Sequence, residues 1–219
     1  MSKTQLNTLV FISAVAAIFT LTIRLDAAFT VLKPLTTILI ILIPILFAVD
    51  KTSGLVKLTV IALVACLAGD VLLLDEKHFV YGLSAFLLAQ LVFATIFYRL
   101  SNRQFTVWPL LGLLFFGGVS FYYLQPYLSE LSLPVAVYTA CILFMCWLSI
   151  CVYLNRGDKV GKLIAGGALL FVFSDSMISV NKFLLPFELS GLVILSSYWL
   201  GITMLANALS LSLTPKKTN

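Results

Sequence analysis

The sequence predicts an all-α integral membrane protein with eight transmembrane helices. Of its 219 residues, 61% are hydrophobic and 11% are charged, and the mean hydropathy is +1.10. A soluble domain of this size needs a larger share of charged residues on its surface. The apolar segments are long and continuous, whereas the strands of a membrane barrel alternate apolar and polar residues. We therefore expect residues 1–219 to form a single polytopic membrane domain.

Eight apolar segments recur along the chain, separated by short charged stretches. Each is long enough to cross about 30 Å of hydrocarbon at about 1.5 Å per residue. The first segment could be a signal peptide, but it runs into Arg24 without a clear small-residue cleavage site, so a retained helix is favoured. The predicted segments are residues 7–23, 31–49, 55–74, 79–98, 107–124, 133–154, 161–180 and 187–211.

The basic residues predict the orientation of these helices. With eight crossings, both termini and three loops share one side, which collects ten lysines and arginines against four on the other side. Cytoplasmic loops carry this excess, so both termini should be cytoplasmic, and the short loops favour a bacterial inner membrane. The first set is Lys3, Lys51, Lys57, Arg99, Arg103, Arg156, Lys159, Lys162, Lys216 and Lys217; the second is Arg24, Lys33, Lys77 and Lys182.

The same pattern excludes several classes of partner and cofactor. The net charge of +5 reports membrane topology, so nucleic acid is not an expected partner. The four cysteines lie inside apolar segments, where free thiols are expected rather than disulfides or metal ligands. No cofactor or metal is predicted, membrane lipid is the expected surrounding, and the residues do not specify an oligomeric state. The cysteines are Cys66, Cys141, Cys146 and Cys151.

Two aspartates, Asp70 and Asp175, lie inside apolar segments. A carboxylate in lipid costs several kcal/mol unless it is paired, hydrated or protonated. The third and seventh segments run in the same direction, and each aspartate lies about 6 to 8 Å below the outer interface at 1.5 Å per residue. We expect the two carboxyl groups to meet in the bundle as a catalytic pair, one protonated and one ionised.

A lysine follows each aspartate by seven residues, Lys77 after Asp70 and Lys182 after Asp175. Seven residues make nearly two helical turns, so each lysine is expected above its acid, where the two could form a basic rim for a phosphate group. The repeated spacing is also compatible with two parallel four-helix halves. Lysines at helix ends often only extend to the interface, and that alternative stays open.

Other polar residues near the two acids are candidates for substrate binding. The single histidine, His78, lies beside Lys77 and could contact a headgroup or simply occupy the interface. Tyr198 could serve the site or, with Trp199, belong to the aromatic belt. The polar side chains in the seventh segment and after it, and Gln90, could orient the acids or join helices. The predicted substrate-binding residues are Lys77, His78, Lys182, Asn181, Ser174 and Tyr198.

Segments 68–74, 79–90, 167–182 and 197–199 resemble the YhhN-like lysoplasmalogenase family, and the Gly-Asp70 and Ser-Asp175 segments are the most specific parts. The resemblance implies an eight-helix membrane enzyme that hydrolyses the vinyl ether bond of lysoplasmalogens to a fatty aldehyde and a glycerophospho-base. It also implies that Asp70 and Asp175 carry the catalysis. One aspartate would protonate carbon while the other stabilises the cation and activates water, as two carboxyl groups do in glycoside hydrolysis.

Other classes of protein also place acids in a helical bundle. A proton-coupled transporter or lipid flippase would use Asp70 and Asp175 with access to both faces of the membrane, whereas both acids are predicted near one face. Intramembrane aspartyl proteases use two aspartates, but their Tyr-Asp and Gly-x-Gly-Asp motifs do not surround these two residues. A structural role for the aspartates is the remaining alternative.

Overall fold

A computed structural model of the chain describes residues 1–211, which form eight long α-helices. Three short helical turns, Glu76–His78, Ser129–Leu131 and Val180–Leu184, lie between them. Each of the eight predicted segments coincides with one long helix. The helices are α1 (Lys3–Thr22), α2 (Asp26–Phe47), α3 (Gly54–Leu72), α4 (Phe79–Leu100), α5 (Trp108–Leu128), α6 (Ser132–Arg156), α7 (Lys159–Ser179) and α8 (Ser190–Leu209).

Seven helical stretches within residues 1–211 are long and apolar enough to cross a membrane. One of them, Trp108–Arg156, contains both α5 and α6 with a 3₁₀ turn between them. The protein is therefore a multi-pass helical membrane protein. Two lysines that entered the charge comparison, Lys216 and Lys217, lie outside the described residues.

Six helices form a closed ring. Around this ring, α2 packs on α3, α3 on α4, α4 on α6, α6 on α7, α7 on α8, and α8 on α2. Helix α1 packs outside the ring against α2 and α8, while α5 packs on α6 and on the turn Val180–Leu184. The interior of the ring is therefore walled by six helices, and α5 forms a peripheral layer beside α6.

Small residues let neighbouring helices of the ring approach closely, as is common between helices in lipid. A Cβ atom built on Gly167 of α7 would lie 2.8 Å from the carbonyl oxygen of Gly201 on α8. A Cβ atom built on Gly69 of α3 would lie 2.6 Å from the ring of Phe86 on α4. These contacts fix α8 against α7 and α4 against α3. Helices α3 and α7 carry the two aspartates.

Helices α6 and α7 are joined by a tight connection. Gly157 has a φ of 62°, a left-handed conformation that glycine adopts without a steric penalty. The Asp158 carboxylate then accepts a hydrogen bond of 2.8 Å from the N–H of Gly161 and forms an ion pair of 2.9 Å with Arg156. The two helices consequently run antiparallel side by side.

The ends of α3 and α7 differ, and the expectation that Lys77 stands above Asp70 is wrong for that reason. Helix α3 ends at Leu72, and Asp75 accepts a hydrogen bond of 2.9 Å from the N–H of Lys77 to start a 3₁₀ turn. Two continuous turns of α-helix therefore do not connect Asp70 to Lys77. Helix α7 instead continues as a π-helical turn, Val180–Leu184, which carries Lys182.

Candidate active site

The interior of the ring is polar at one level of the bundle. Helices α3 and α7 contribute the two aspartates, and each of the other four ring helices contributes one polar side chain that donates a hydrogen bond to Asp70 or Asp175. Asp70 is held by side chains of α2 and α8, and Asp175 by side chains of α4 and α6. The residues are Thr37 of α2, Asp70 of α3, Gln90 of α4, Tyr138 of α6, Asp175 of α7 and Tyr198 of α8.

Asp70 is 1% exposed and accepts two hydroxyl hydrogen bonds on the same carboxylate oxygen, Oδ2. The Thr37 hydroxyl donates at 2.5 Å and the Tyr198 hydroxyl at 2.9 Å. The indole N–H of Trp199 donates in turn to Thr37 Oγ1 at 3.2 Å, which orients that hydroxyl toward Asp70. A buried carboxyl group with these donors is fixed in position by α2 and α8.

Asp175 has a different set of donors. The Tyr138 hydroxyl donates to Asp175 Oδ2, and the side-chain N–H of Gln90 donates to the same oxygen at 3.3 Å. The opposite atom of that amide, Gln90 Oε1, is buried and has no hydrogen-bond partner within residues 1–211. An acceptor without a partner beside a carboxyl group is unusual, because buried polar atoms are normally satisfied.

A lysine that the sequence placed at the outer interface lies inside the bundle instead. Lys33 occupies the second turn of α2, one turn before Thr37, and is 7% exposed. It lines the same cavity as Asp70. A basic side chain and two carboxyl groups therefore share one cavity inside the bundle.

A cavity of about 520 Å³ contains both aspartates. Lys33 and Lys182 contribute positive charge to its wall, and Asp75 and Glu76 contribute negative charge. Its other lining residues are mostly apolar. The full lining is Lys33, Asp70, Leu73, Asp75, Glu76, Phe79, Phe86, Ser174, Asp175, Ile178, Asn181, Lys182, Pro186, Ile194, Leu195 and Tyr198.

Four of the predicted substrate-binding residues line this cavity: Ser174, Asn181, Lys182 and Tyr198. Ser174 donates to the carbonyl of Ile194 at 2.9 Å and so joins α7 to α8. Asn181 accepts from the N–H of Phe187 at 3.2 Å and so joins the turn Val180–Leu184 to the segment that leads into α8. The ammonium group of Lys182 lies 4.5 Å from the centre of the Phe79 ring, a cation–π contact.

The other two predicted residues, Lys77 and His78, lie on the 3₁₀ turn outside the cavity lining. His78 is half-exposed, with its Nδ1 atom 3.8 Å from Asp75 and its ring centre 6.2 Å from that of Tyr81. Only the neighbouring acids Asp75 and Glu76 of this segment reach the cavity.

Tyr198 and Trp199 do not belong to an aromatic belt, because they are 4% and 2% exposed. The ring of Tyr198 packs edge to face against Phe86 and Phe171, with centres 5.7 and 5.8 Å apart. These contacts hold the phenol in one orientation and direct its hydroxyl at Asp70.

A second cavity of about 270 Å³ lies on the other side of Asp175. It is walled by α5, α6, α7 and the turn Val180–Leu184, and it is mainly apolar. Asp175 lines both cavities, whereas Asp70 and Tyr198 line only the first and Tyr138 only the second. The lining is Phe116, Gly117, Val119, Ser120, Tyr123, Leu124, Tyr138, Thr139, Ile142, Leu143, Val172, Asp175, Ser176, Ser179, Val180 and Leu184.

Fold and site together define a multi-pass helical membrane protein with two carboxyl groups at one cavity. The YhhN family model matches residues 28–209, which include the ring helices apart from the first two residues of α2, and the chain belongs to the YhhN family. This confirms the family that the sequence resembles.

Curated relatives carry one common name. Lysoplasmalogenase TMEM86A of Homo sapiens is 33% identical over 154 residues, covering 67% of this chain and 62% of the relative. Lysoplasmalogenase TMEM86A of Bos taurus is 30% identical over 152 residues with the same coverage. Lysoplasmalogenase TMEM86B of Sus scrofa is 29% identical over 177 residues, covering 80% of this chain and 72% of the relative. The chain thus spans less than two thirds of the length of the TMEM86A relatives. No solved structure matches the chain significantly.

Proposed function

We propose that the protein is a lysoplasmalogen hydrolase that cleaves the vinyl ether bond of a lysophospholipid to a fatty aldehyde and a glycerophospho-base. Membership of the YhhN family and the names of its relatives support the activity. The observation that carries the chemistry is that Asp70 and Asp175 line one cavity inside the membrane domain. No cofactor is part of this proposal.

The proposed reaction needs one carboxylic acid and one carboxylate. One aspartic acid gives its proton to the β-carbon of the vinyl ether, where the electrons of the double bond form the new C–H bond and an oxocarbenium ion results. Water adds to the α-carbon, and its proton passes to the other carboxylate. That acid then protonates the ether oxygen as the C–O bond breaks, while the hemiacetal hydroxyl returns a proton to the first aspartate.

The remaining side chains support these steps. In this proposal Asp70 is the carboxylate close to the developing positive charge. The hydroxyls of Thr37 and Tyr198 donate to it, and Lys33 lies on the wall of the same cavity. Tyr138 and Gln90 fix the position of Asp175. Pre-organised groups of this kind stabilise a charged transition state without reorganising during the reaction.

The charges on the cavity wall suit a zwitterionic headgroup. A phosphate is expected to bind Lys182, whose ammonium group lies over Phe79 at the cavity wall. The amine of an ethanolamine or choline headgroup is expected near Asp75 and Glu76. Lys77 and His78 then contribute to the potential around the entrance rather than to direct contacts.

The proposed topology completes the arrangement. Helices α5 and α6 cross the membrane separately, which gives eight crossings with both termini in the cytoplasm, in a bacterial inner membrane. The cavity then opens toward the outer face, and the parallel directions of α3 and α7 agree with two four-helix halves. Cysteine accessibility to a membrane-impermeant reagent, measured at substituted loop positions on each side of α5, tests this orientation.

Release of aldehyde by detergent-purified protein tests the function. We expect hydrolysis of a hexadecenyl lysoplasmalogen and no reaction with the saturated hexadecyl ether, which has no double bond to protonate. In D₂O the trapped aldehyde should carry one deuterium on the carbon next to the carbonyl group. Absence of aldehyde release would reject the hydrolase, and proton-coupled lipid movement in liposomes would then support the transporter or flippase.

A further inference from the structure

The second cavity is lined mainly by apolar side chains, whereas the first carries several charged ones. Its polar side chains are the Asp175 carboxyl group, the phenols of Tyr123 and Tyr138, and the hydroxyls of serine and threonine residues. Tyr138 is hydrogen-bonded to Asp175, and apolar side chains make up the rest of the wall. Ser176 and Ser179 direct their hydroxyls to carbonyl groups of their own helix, so they present little polarity to the cavity. Such a lining favours a hydrocarbon chain over a headgroup.

The outer wall of this cavity is α5, the helix that packs beside the ring. Phe116, Val119 and Tyr123 line the cavity and are 45%, 41% and 62% exposed, so the cavity is a groove that opens sideways between helices. Such side chains face lipid in a membrane domain. A chain can therefore enter this groove from the bilayer without crossing the polar cavity.

Asp175 is the point where the groove meets the polar cavity. Residues 116–124 of α5 rise about 12 Å at 1.5 Å per residue, so the groove runs along the helix direction for a substantial part of a lipid chain. A lysophospholipid has one polar end and one hydrocarbon chain, and the vinyl ether joins them. The two cavities match this order, because a charged cavity and a mainly apolar groove meet at Asp175.

We propose that the groove between α5 and α7 binds the alkenyl chain of the substrate, so that the lipid spans both cavities with its vinyl ether beside Asp175. This inference rests on the proposed function. It assigns roles to the two acids, because the β-carbon of a vinyl ether carries the chain and the α-carbon carries the ether oxygen. Asp175, at the groove, gives its proton to the β-carbon; Asp70, in the headgroup cavity beside Lys33, receives the proton of the attacking water.

Photo-crosslinking tests the location of the chain without requiring turnover. The probe is a saturated hexadecyl ether lysophospholipid with a diazirine in the distal half of its chain, applied to wild-type protein in detergent micelles. We expect labelled peptides from residues 116–124, 139–143 and 172–180, and loss of labelling with excess unlabelled ether lipid. A different apolar groove, between α1 and α8, includes Val10, Phe11 and Leu200, and specific labelling there would overturn the proposal.

Chain-length dependence provides a second test through the variant Ser120→Trp, which fills the groove from α5. Loss of contact with two methylene groups corresponds to about tenfold in kcat/KM. The ratio of kcat/KM for a hexadecenyl substrate to that for a butenyl substrate should fall by at least this factor. The matched control is Leu111→Trp, on the same helix, 49% exposed and outside the groove.

The two experiments separate this inference from the proposed function. Specific labelling of the groove in a protein that releases no aldehyde would keep the chain site and reject the hydrolase. Aldehyde release combined with labelling elsewhere, or with an unchanged chain-length ratio in Ser120→Trp, would keep the hydrolase and reject the groove. If Ser120→Trp does not fold, labelling of the wild-type protein decides the location.

Discussion

The hydroxyl of Tyr198 offers a controlled perturbation of Asp70. Tyr198→Phe removes the 2.9 Å hydrogen bond to Asp70 and leaves a ring that can keep its edge-to-face contacts with Phe86 and Phe171. Thr37 remains as the second donor. The substitution therefore changes one hydrogen bond to a buried carboxyl group and little of the packing around it.

The size of the effect follows from that single contact. A hydrogen bond to a charged group contributes about 1.5 to 3 kcal/mol. If Asp70 is the carboxylate that stabilises the cation, loss of the bond should lower kcat about 10- to 150-fold, since 1.36 kcal/mol is a factor of ten in rate. KM should change little, because the hydroxyl holds the carboxylate and the headgroup contacts persist.

Aldehyde release by purified protein, measured over a range of lysoplasmalogen concentrations, gives kcat and KM separately. The control is Tyr98→Phe, which changes a tyrosine that is 43% exposed near the end of α4, outside both cavities. Gel filtration establishes that both variants are monodisperse. A kcat for Tyr198→Phe equal to that of wild type, in folded protein, would refute the role assigned to this hydrogen bond.

Two further predictions concern the cavity wall and the helix packing. Lys182→Met should raise KM for a phosphate-bearing substrate about tenfold or more, because an ammonium–phosphate contact is lost. Lys77→Met is the control and should change KM less than threefold, because that side chain lies outside the cavity. Equal effects of the two substitutions would contradict the assigned geometry. Gly167→Leu should lower the free energy of unfolding by about 1 to 3 kcal/mol or more, because its Cβ would lie 2.8 Å from the Gly201 carbonyl oxygen. Thermal denaturation in detergent measures this. The control is Gly112→Leu, where a Cβ meets nothing within 4 Å, and it should not lower the midpoint, because glycine inside a helix is itself unfavourable.

The helices and the two acids could be predicted from the sequence because both signals are local. Hydrophobicity over about twenty residues identifies a helix in lipid, and a carboxyl group inside such a segment stands out against its neighbours. The predicted segments accordingly match eight observed helices, and both aspartates line one cavity.

Gln90 and Tyr198 are candidates from the sequence, but which aspartate each of them contacts could not be predicted, because that depends on contacts between distant segments. Tyr138 and Tyr198 bond to aspartates that are 37 and 128 residues away in sequence, and nothing in the local sequence of either tyrosine indicates this. Lys33 lies near the start of α2, where a lysine normally extends to the interface, and only the packing of α2 against α3 and α8 turns it inward.

The position of Lys77 shows how a local rule fails at a helix end. The seven-residue spacing places Lys77 above Asp70 only if α3 remains helical through Lys77, and α3 ends at Leu72. The same spacing after Asp175 correctly places Lys182 at the cavity, because α7 continues as a π-helical turn that carries this lysine. The sequence contains no clear signal that distinguishes these two ends.

The most direct test of the account is the rate of aldehyde release by Asp70→Asn and Asp175→Asn. Each substitution keeps the size of the side chain and removes the ability to give or take a proton, so each should lower kcat about 10²- to 10⁴-fold. Asp50→Asn, an exposed aspartate in the loop after α2, is the matched control and should retain wild-type kcat. A folded Asp70→Asn or Asp175→Asn protein that releases aldehyde at the wild-type rate would contradict the two-aspartate mechanism.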